Sequence, residues 1–210
     1  MSRILLTSGP TRQFLDPVRY LSNASSGRMG AALAHSLIQS GHEVTIVSGP
    51  VRVEYPSAAS VIDVVTTADM LAAAVDHFQR CDGAIGAAAP CDYQPRQIES
   101  DKWTKDGGVR TIELVETEDV VATLGRRKRS DQWVVGFALE TEDLRFRAIV
   151  KLEKKHCDLI VTNDASAIDS ETNQIEILDR HGRVVMACQG TKTQVAERIV
   201  QTIDTHLIQP

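Results

Sequence analysis

The sequence predicts an α/β protein, a Rossmann-like three-layer sandwich with a mostly parallel sheet and a C-terminal β-hairpin plus helix. Three observations predict it. Apolar runs of strand length alternate with segments of helical spacing along the chain, and strands joined through helices lie parallel. Glycine or proline follows many of the apolar runs, marking loops at strand ends. Aromatic residues make up only 4% of the chain against 42% hydrophobic residues, so the core is built from Ala, Val, Ile and Leu, a packing that suits a sheet buried on both faces.

The elements follow in order. Arg3 to Thr7 is an apolar run ending in Ser8-Gly9-Pro10, a strand meeting a turn. Polar, irregular sequence continues to Ala24. Ser25-Ser26-Gly27 then opens a helix with Met29, Leu33, Leu37 and Ile38 on one face, closed by Gly41. His42 to Ser48 is the next strand, completing a βαβ start. Val61 to Val65 is a strand, and Thr66 or Thr67 caps a helix to about Gln79, with Asp69 in its first turn. Gly83 to Ala89 is small and apolar, a central strand with no room for bulk. Pro90 to Gly108 reads as a loop. Arg110 to Val115 is a strand, Glu118 to Leu124 a short helix, Trp133 to Ala138 a strand, Glu142 to Lys155 a helix and Asp158 to Val161 a strand. A hairpin turning at His181-Gly182 and an amphipathic helix from about Thr193 to Leu207 close the chain. Sheets of this kind bind ligands beyond the carboxyl ends of their strands, which places the candidate site on residues 8–27, 88–108 and 137–142.

Length and composition limit the function classes. The 210 residues read as a single domain, 1–210, large enough to bury a core. A net charge of −5 argues against a nucleic-acid partner. The four cysteines (Cys81, Cys91, Cys157 and Cys188) show no CxxC spacing, so neither a disulfide framework nor a zinc site is expected. Cys91, in a proline-containing loop, reads either as a reactive thiol or as an ordinary reduced one. No apolar run reaches membrane-spanning length and the first residues already read as a strand, so neither a membrane nor a signal peptide is expected and the protein is placed in the cytoplasm.

Four segments carry candidate chemistry. Thr7-Ser8-Gly9-Pro10-Thr11-Arg12 puts hydroxyls and an arginine after the first strand, suiting a phosphate or carboxylate. The GxGxxG dinucleotide fingerprint is absent there, and an ordinary strand-end turn explains the same residues. In Arg19 to Gly30, the Ser25-Ser26-Gly27 start of a helix offers free N–H groups and a positive dipole end to an anion, with Asn23 just upstream; a serine cap on a helix packed through small residues is the alternative. Ala87-Ala88-Ala89-Pro90-Cys91-Asp92-Tyr93, followed by Lys102 and Lys105, lets a flat base lie on the backbone. The Asp92 carboxylate is suited to a divalent cation or ribose hydroxyls, unless the whole is a solvated loop. Val135-Gly136-Phe137-Ala138-Leu139-Glu140-Thr141 leads to Lys151 and Lys155, four apart on one helix face, suited to a triphosphate lying between them or to plain solvation.

In this order the segments resemble one family. TSGPTR, DPVRYLSNASSGRMG, VTIVSGPV, AAAPCDY, a lysine loop, VVGFALET, a KxxxK helix and DLIVTND are similar, nearly end to end, to the synthetase domain of the phosphopantothenoylcysteine synthetase family. So is the closing pattern of Asn173 before a hairpin strand and a final helix led by Lys192. The resemblance implies a phosphopantothenate–cysteine ligase of the bacterial, CTP-dependent type in coenzyme A biosynthesis. The carboxylate of 4′-phosphopantothenate attacks CTP to give an acyl-cytidylate and pyrophosphate, and cysteine then displaces CMP. The rivals are an ATP-dependent version of the ligase, a non-catalytic nucleotide-binding module, and a Rossmann-type oxidoreductase, against which the missing GxGxxG counts.

The resemblance also implies roles. Asn23 and Lys102 are the catalytic residues. Arg19, Asn23, Ser25, Ser26 and Gly27 bind substrate and intermediate. Gly86, Ala87, Ala88, Asp92, Lys102, Glu118, Asp119, Val120, Val121, Phe137, Lys151 and Lys155 bind CTP. Mg²⁺ accompanies CTP, with Asp92 as its candidate protein ligand. In many bacteria a flavin-dependent decarboxylase domain precedes this one, so no FMN and no decarboxylase chemistry are expected on this chain, and a separate phosphopantothenoylcysteine decarboxylase is a candidate partner. A homodimer is implied. Three positions depart from the family pattern: Thr104 replaces the second lysine of the KxKK loop, Glu118 opens a turn that usually reads Pro-Asp-Ile, and Pro90-Cys91 precede Asp92.

Overall fold

A computed structural model describes residues 1–140, 144–164 and 172–208. The first strand β1 (Arg3–Ser8) lies in the interior of an eight-stranded sheet of order β12-β11-β10-β9-β6-β1-β4-β5. Its parallel members are β1, β4 (Glu43–Ser48), β5 (Ser60–Asp63), β6 (Gly83–Gly86), β9 (Trp133–Glu140) and β10 (Leu159–Asp164). The hairpin β11 (Thr172–Asp179) and β12 (Val184–Thr191) extends one edge antiparallel. Its turn carries Gly182 at φ 72°, and the Asp179 carboxylate accepts the N–H groups of His181 and Arg183.

Strand period two decides which helix each side chain meets. Ile4 and Leu6, Val44 and Ile46, Ile85, Val135 and Val161 face one layer, made by α1 (Arg28–Gln39) and α5 (Lys192–Ile203), which continues into a π-helical turn (Asp204–Ile208). Leu5, Val47, Ala84, Val134 and Ile160 face the other, made by α2 (Thr67–Phe78), α3 (Val120–Arg127) and α4 (Leu144–Lys154). The three-layer sandwich is therefore as predicted. Among the described residues no helix is long and apolar enough to cross a membrane.

Local signals set several boundaries. Thr66 caps α2 by accepting the N–H of Asp69, whose carboxylate accepts the N–H of Thr66 in return. At β6 the absence of side chains is a packing requirement: a Cβ on Gly83 would sit 2.0 Å from the Trp133 indole.

Four expectations are corrected. Residues 11–24 are not irregular: Arg12–Asp16 (β2) and Arg19–Ser22 (β3) form an antiparallel hairpin with a bulge near Leu15. Its stabilising contacts are tertiary or across the ladder, such as Thr11 to Thr67 at 2.8 Å and Arg12 stacked 4.5 Å from the Tyr20 ring centroid, so no periodicity announces it. The expected strand Arg110–Val115 reduces to β8 (Leu114–Glu116), which leaves the main sheet and pairs with β7 (Tyr93–Pro95). The central strand ends at Gly86 rather than Ala89, because Ala87 to Ala89 turn to bond Thr7 and Gly9. Finally, the alternative of a serine cap on α1 falls: the cap is Gly27, left-handed at φ 75°, with no side-chain bond. A Cβ there would lie 2.8 Å from Val51, so residue 27 is excluded from bearing a side chain by both backbone and space. Of the expected site segment 137–142, Thr141 and Glu142 lie outside the described residues.

Candidate active site

The chain runs from β1 to β4 and β5 on one side, then returns to β6, β9 and β10 on the other. The carboxyl ends of β1 and β6 therefore splay apart at a topological switch point, where Thr7 and Gly86 are register partners. A cavity of about 540 Å³ opens there, reaching both residues. Its apolar wall comprises Gly86, Ala88, Val121, Ala122 and Phe137, and its polar rim includes Asp92, Glu116, Thr117, Glu118, Asp119, Arg126, Lys154 and Lys155. Gly86 keeps that wall flat, since a Cβ would meet Val121 Cγ2 at 2.3 Å.

The rim is tied down by hydroxyls. The Cys91 N–H donates to Thr11 Oγ1 at 2.9 Å, and its carbonyl accepts from Thr67 Oγ1 at 3.2 Å and Thr117 Oγ1 at 2.6 Å. Asn23 joins the same turn. Its Nδ2 donates to the carbonyls of Ala89 and Pro90 at 3.2 and 2.9 Å, and two carbonyls can be met only by the amide nitrogen. The Oδ1 of this exposed residue is thus left as an acceptor beside the cavity mouth. Asp119 caps α3 through the Ala122 N–H at 2.9 Å and holds Lys155 at 3.1 Å, so one carboxylate ties the start of α3 to the ammonium. The unexpected charge of Glu118 is offset by Arg126, 3.8 Å away.

Of the sequence-predicted site residues, Gly86, Ala88, Asp92, Glu118, Asp119, Val120, Val121, Phe137 and Lys155 line this one cavity. Ala87 and Lys151 do not line it, and the helix contributes Lys154 beside Lys155. Ser25, Ser26 and Gly27 lie between Asn23 and α1. Lys102 is exposed, but its neighbour Trp103 is anchored: its N–H donates to Asp16 at 3.2 Å and its carbonyl accepts from Arg19 at 3.4 Å. Cys91 is buried, and burial pushes its thiol up, which favours the ordinary reading over a reactive one. Burial likewise raises Cys157 to about 12.

Sequence reasoning missed Asp16, which organises the hairpin. Burial alone would raise its pKa. The N–H groups of Val18, Trp103 and Arg19, together with the Arg19 guanidinium, outweigh that and lower it from the usual 3.8 to about 2. The signal available was an aspartate three residues before an arginine across a proline turn, Asp16-Pro17-Val18-Arg19. A depressed carboxylate contributes stability that is complete above the unfolded pKa and is lost as pH falls through the folded one. The melting temperature is therefore expected to drop between about pH 4 and pH 2 through this group. Asp16→Asn should flatten that part of the profile. An unchanged slope in the variant would assign the loss to other carboxylates.

With this geometry in place, comparison with known proteins is decisive for ancestry. Residues 1–207 match the family described as DNA/pantothenate metabolism flavoprotein C-terminal domain. The chain belongs to that family. It is 38% identical over 205 residues to the coenzyme A biosynthesis bifunctional protein CoaBC of Bacillus subtilis (strain 168), covering 95% of this chain and 50% of that protein. It is 42% identical over 209 residues to a cysteine/cysteine sulfinic acid decarboxylase of an unknown prokaryotic organism, covering 97% of this chain and 58% of that protein. The chain thus spans about half the length of the curated relatives it matches. Among solved structures, the C-terminal domain of a CoaBC protein superposes with a TM-score of 0.84 at 36% identity, covering 99% of this chain and 96% of that one. The family model and the CoaBC matches bear out the resemblance read from the sequence motifs.

Proposed function

We propose that this chain is a phosphopantothenate–cysteine ligase that activates its acid substrate with CTP. The observation that carries the proposal is the single cavity at the β1/β6 switch point. It gathers nine residues that the family resemblance assigns to a nucleotide, in a chain 36% identical over 99% of its length to the C-terminal domain of a CoaBC protein.

The charge of the cavity supports a division of labour. Asp92, Glu116, Glu118 and Asp119 face Arg126, Lys154 and Lys155, a balance that suits an uncharged nucleoside better than a polyphosphate. The base lies against Gly86, Val121 and Phe137, and the triphosphate leads out toward the first turn of α1 and the lysine loop, where free N–H groups and Lys102 receive it. Among the described residues no three His, Cys, Asp or Glu side chains meet in metal-binding range. A Mg²⁺ ion would enter as a companion of the nucleotide, with Asp92 as its candidate protein ligand. There it would offset charge on the triphosphate.

Two displacements follow. The carboxylate of 4′-phosphopantothenate attacks the α-phosphorus and expels pyrophosphate, leaving an acyl-cytidylate. The amine of cysteine attacks the acyl carbon, CMP departs with the bonding pair of the C–O bond, and the amine loses a proton. Asn23 Oδ1, oriented by its two amide N–H bonds, accepts a hydrogen bond from the incoming amine and aligns it, so proximity supplies most of the acceleration. The deciding assay is pyrophosphate release with 4′-phosphopantothenate, cysteine and Mg²⁺, comparing CTP with ATP. Release dependent on the acid and favouring CTP is expected. Release with ATP alone would keep the reaction and change the nucleotide, and no release from folded protein would remove the assignment.

A second copy of the chain is the proposed partner. Val18, Tyr20, Tyr93, Ile98, Val109 and Leu114 are exposed apolar side chains on the β2–β3 and β7–β8 ribbons and the loop joining β7 to β8. Apolar groups concentrated outside the core mark a contact surface. Light scattering should give a two-chain mass, and a single-chain mass at assay concentration would exclude it. The cytoplasmic assignment is part of the same reading, supported by four cysteines that are all free.

A further inference from the structure

On the α3 side of the cavity, a buried hydroxyl holds a carboxylate and a guanidinium side by side. Thr123, 2% exposed, donates from Oγ1 to Glu118 Oε1 at 3.1 Å and accepts from Arg126 Nη2 at 2.8 Å. The two charges stay 3.8 Å apart, too far for a direct hydrogen bond between them, so both keep unused hydrogen-bonding capacity while lining the cavity. Neighbouring rim groups on the same side are committed to building the fold: Asp119 caps α3 and binds Lys155, and Thr117 holds the Cys91 carbonyl.

We propose, resting on the nucleotide-ligase reading, that Glu118 and Arg126 read the Watson–Crick edge of the base. The pair presents an acceptor beside a donor. Cytosine presents the complement, a 4-amino donor beside an unprotonated N3 and the O2 acceptor, and adenine presents a 6-amino donor beside N1. Held in the register of cytosine, uracil and guanine present a carbonyl beside a ring N–H, which sets oxygen against the Glu118 carboxylate and N–H against the guanidinium. Recognition of this kind discriminates mainly by leaving wrong partners unpaired. It therefore selects amino bases over oxo bases and leaves the choice between cytosine and adenine to the shape of the cavity. Both side chains are about half exposed, 59% for Glu118 and 50% for Arg126, so solvent moderates the effect to about tenfold.

The test is calorimetric titration of the whole chain with CTP and with UTP, in the wild type and in Glu118→Gln and Arg126→Met, each variant first shown to melt like the wild type. A wild-type preference for CTP of about tenfold is expected. Glu118→Gln, whose amide can turn to offer either group, should reduce that preference to about twofold by weakening CTP and strengthening UTP. Arg126→Met should reduce it by weakening CTP. A wild type that binds both nucleotides equally overturns the proposal, as does an unchanged ratio in both variants; in either case the ligase reading stands. A wild type that binds neither nucleotide overturns this proposal, and if it does not bind ATP either the ligase reading falls with it.

Discussion

Asn23→Ala is expected to stop ligation while leaving nucleotide activation in place. Overall turnover should fall by on the order of a hundredfold or more, because the incoming amine loses the acceptor that aligns it. Pyrophosphate release on the first turnover should persist, and an acyl-nucleotidylate should accumulate and be trappable by acid quench. The side chain is exposed and its two bonds go to the Ala89 and Pro90 carbonyls, so the fold loses little. Asn23→Asp should do no better than alanine, since a carboxylate would set oxygen against those two carbonyls and turn away from the turn. If both half-reactions fell together in a variant of unchanged melting temperature, Asn23 would be reduced to an anchor for the Pro90 turn.

Gly86→Ala is the second large effect, and it is expected on stability and nucleotide binding at once. The new methyl would lie 2.3 Å from Val121 Cγ2, with the next nearest atoms at 3.6 Å. One methyl of a stiff β-branched side chain is in the way, and overpacking of this kind costs about 1–3 kcal/mol. Either α3 shifts away from β6 or the cavity wall between them deforms. CTP affinity should therefore drop together with the melting temperature. Val121→Ala removes the offending methyl, so the double variant should recover most of both losses. Two single-variant effects that merely add, instead of offsetting, would show that the close approach of α3 to β6 does not govern the wall.

The candidate site was partly legible in the chain for an identifiable reason. Strand and helix elements announce themselves through periods of 2 and 3.6, and the loops that follow parallel strands must converge at one sheet edge. Ala88, Asp92 and Phe137 could therefore be assigned to one region before any coordinates existed, and Gly86 joined them through the family resemblance. Arg126, Thr123 and Lys154 could not, because each looks like ordinary helix surface until α3 and α4 are docked beside the cavity. Lys151 was assigned in preference to Lys154 on its spacing from Lys155 and on the family resemblance. Spacing establishes which residues share a face but not which of them the helix end turns toward a neighbour.

The same division holds for the fold. Sequence by itself determined the strand–helix alternation, the capped start of α2 at Thr66, the hairpin turn at His181-Gly182 and the two-sided burial of the sheet. Each follows from interactions within a few residues or from the pattern of apolar positions. Tertiary structure alone decided the β2–β3 hairpin, the displacement of β7 and β8 into their own ribbon, and Gly27 as the cap of α1. In those segments the deciding partners lie far along the chain: Thr67 for Thr11, Trp103 for Asp16 and Arg19, and Val51 for Gly27. Hydrogen bonds and steric exclusion across 24 to 87 residues leave no local period, so only the folded chain displays them.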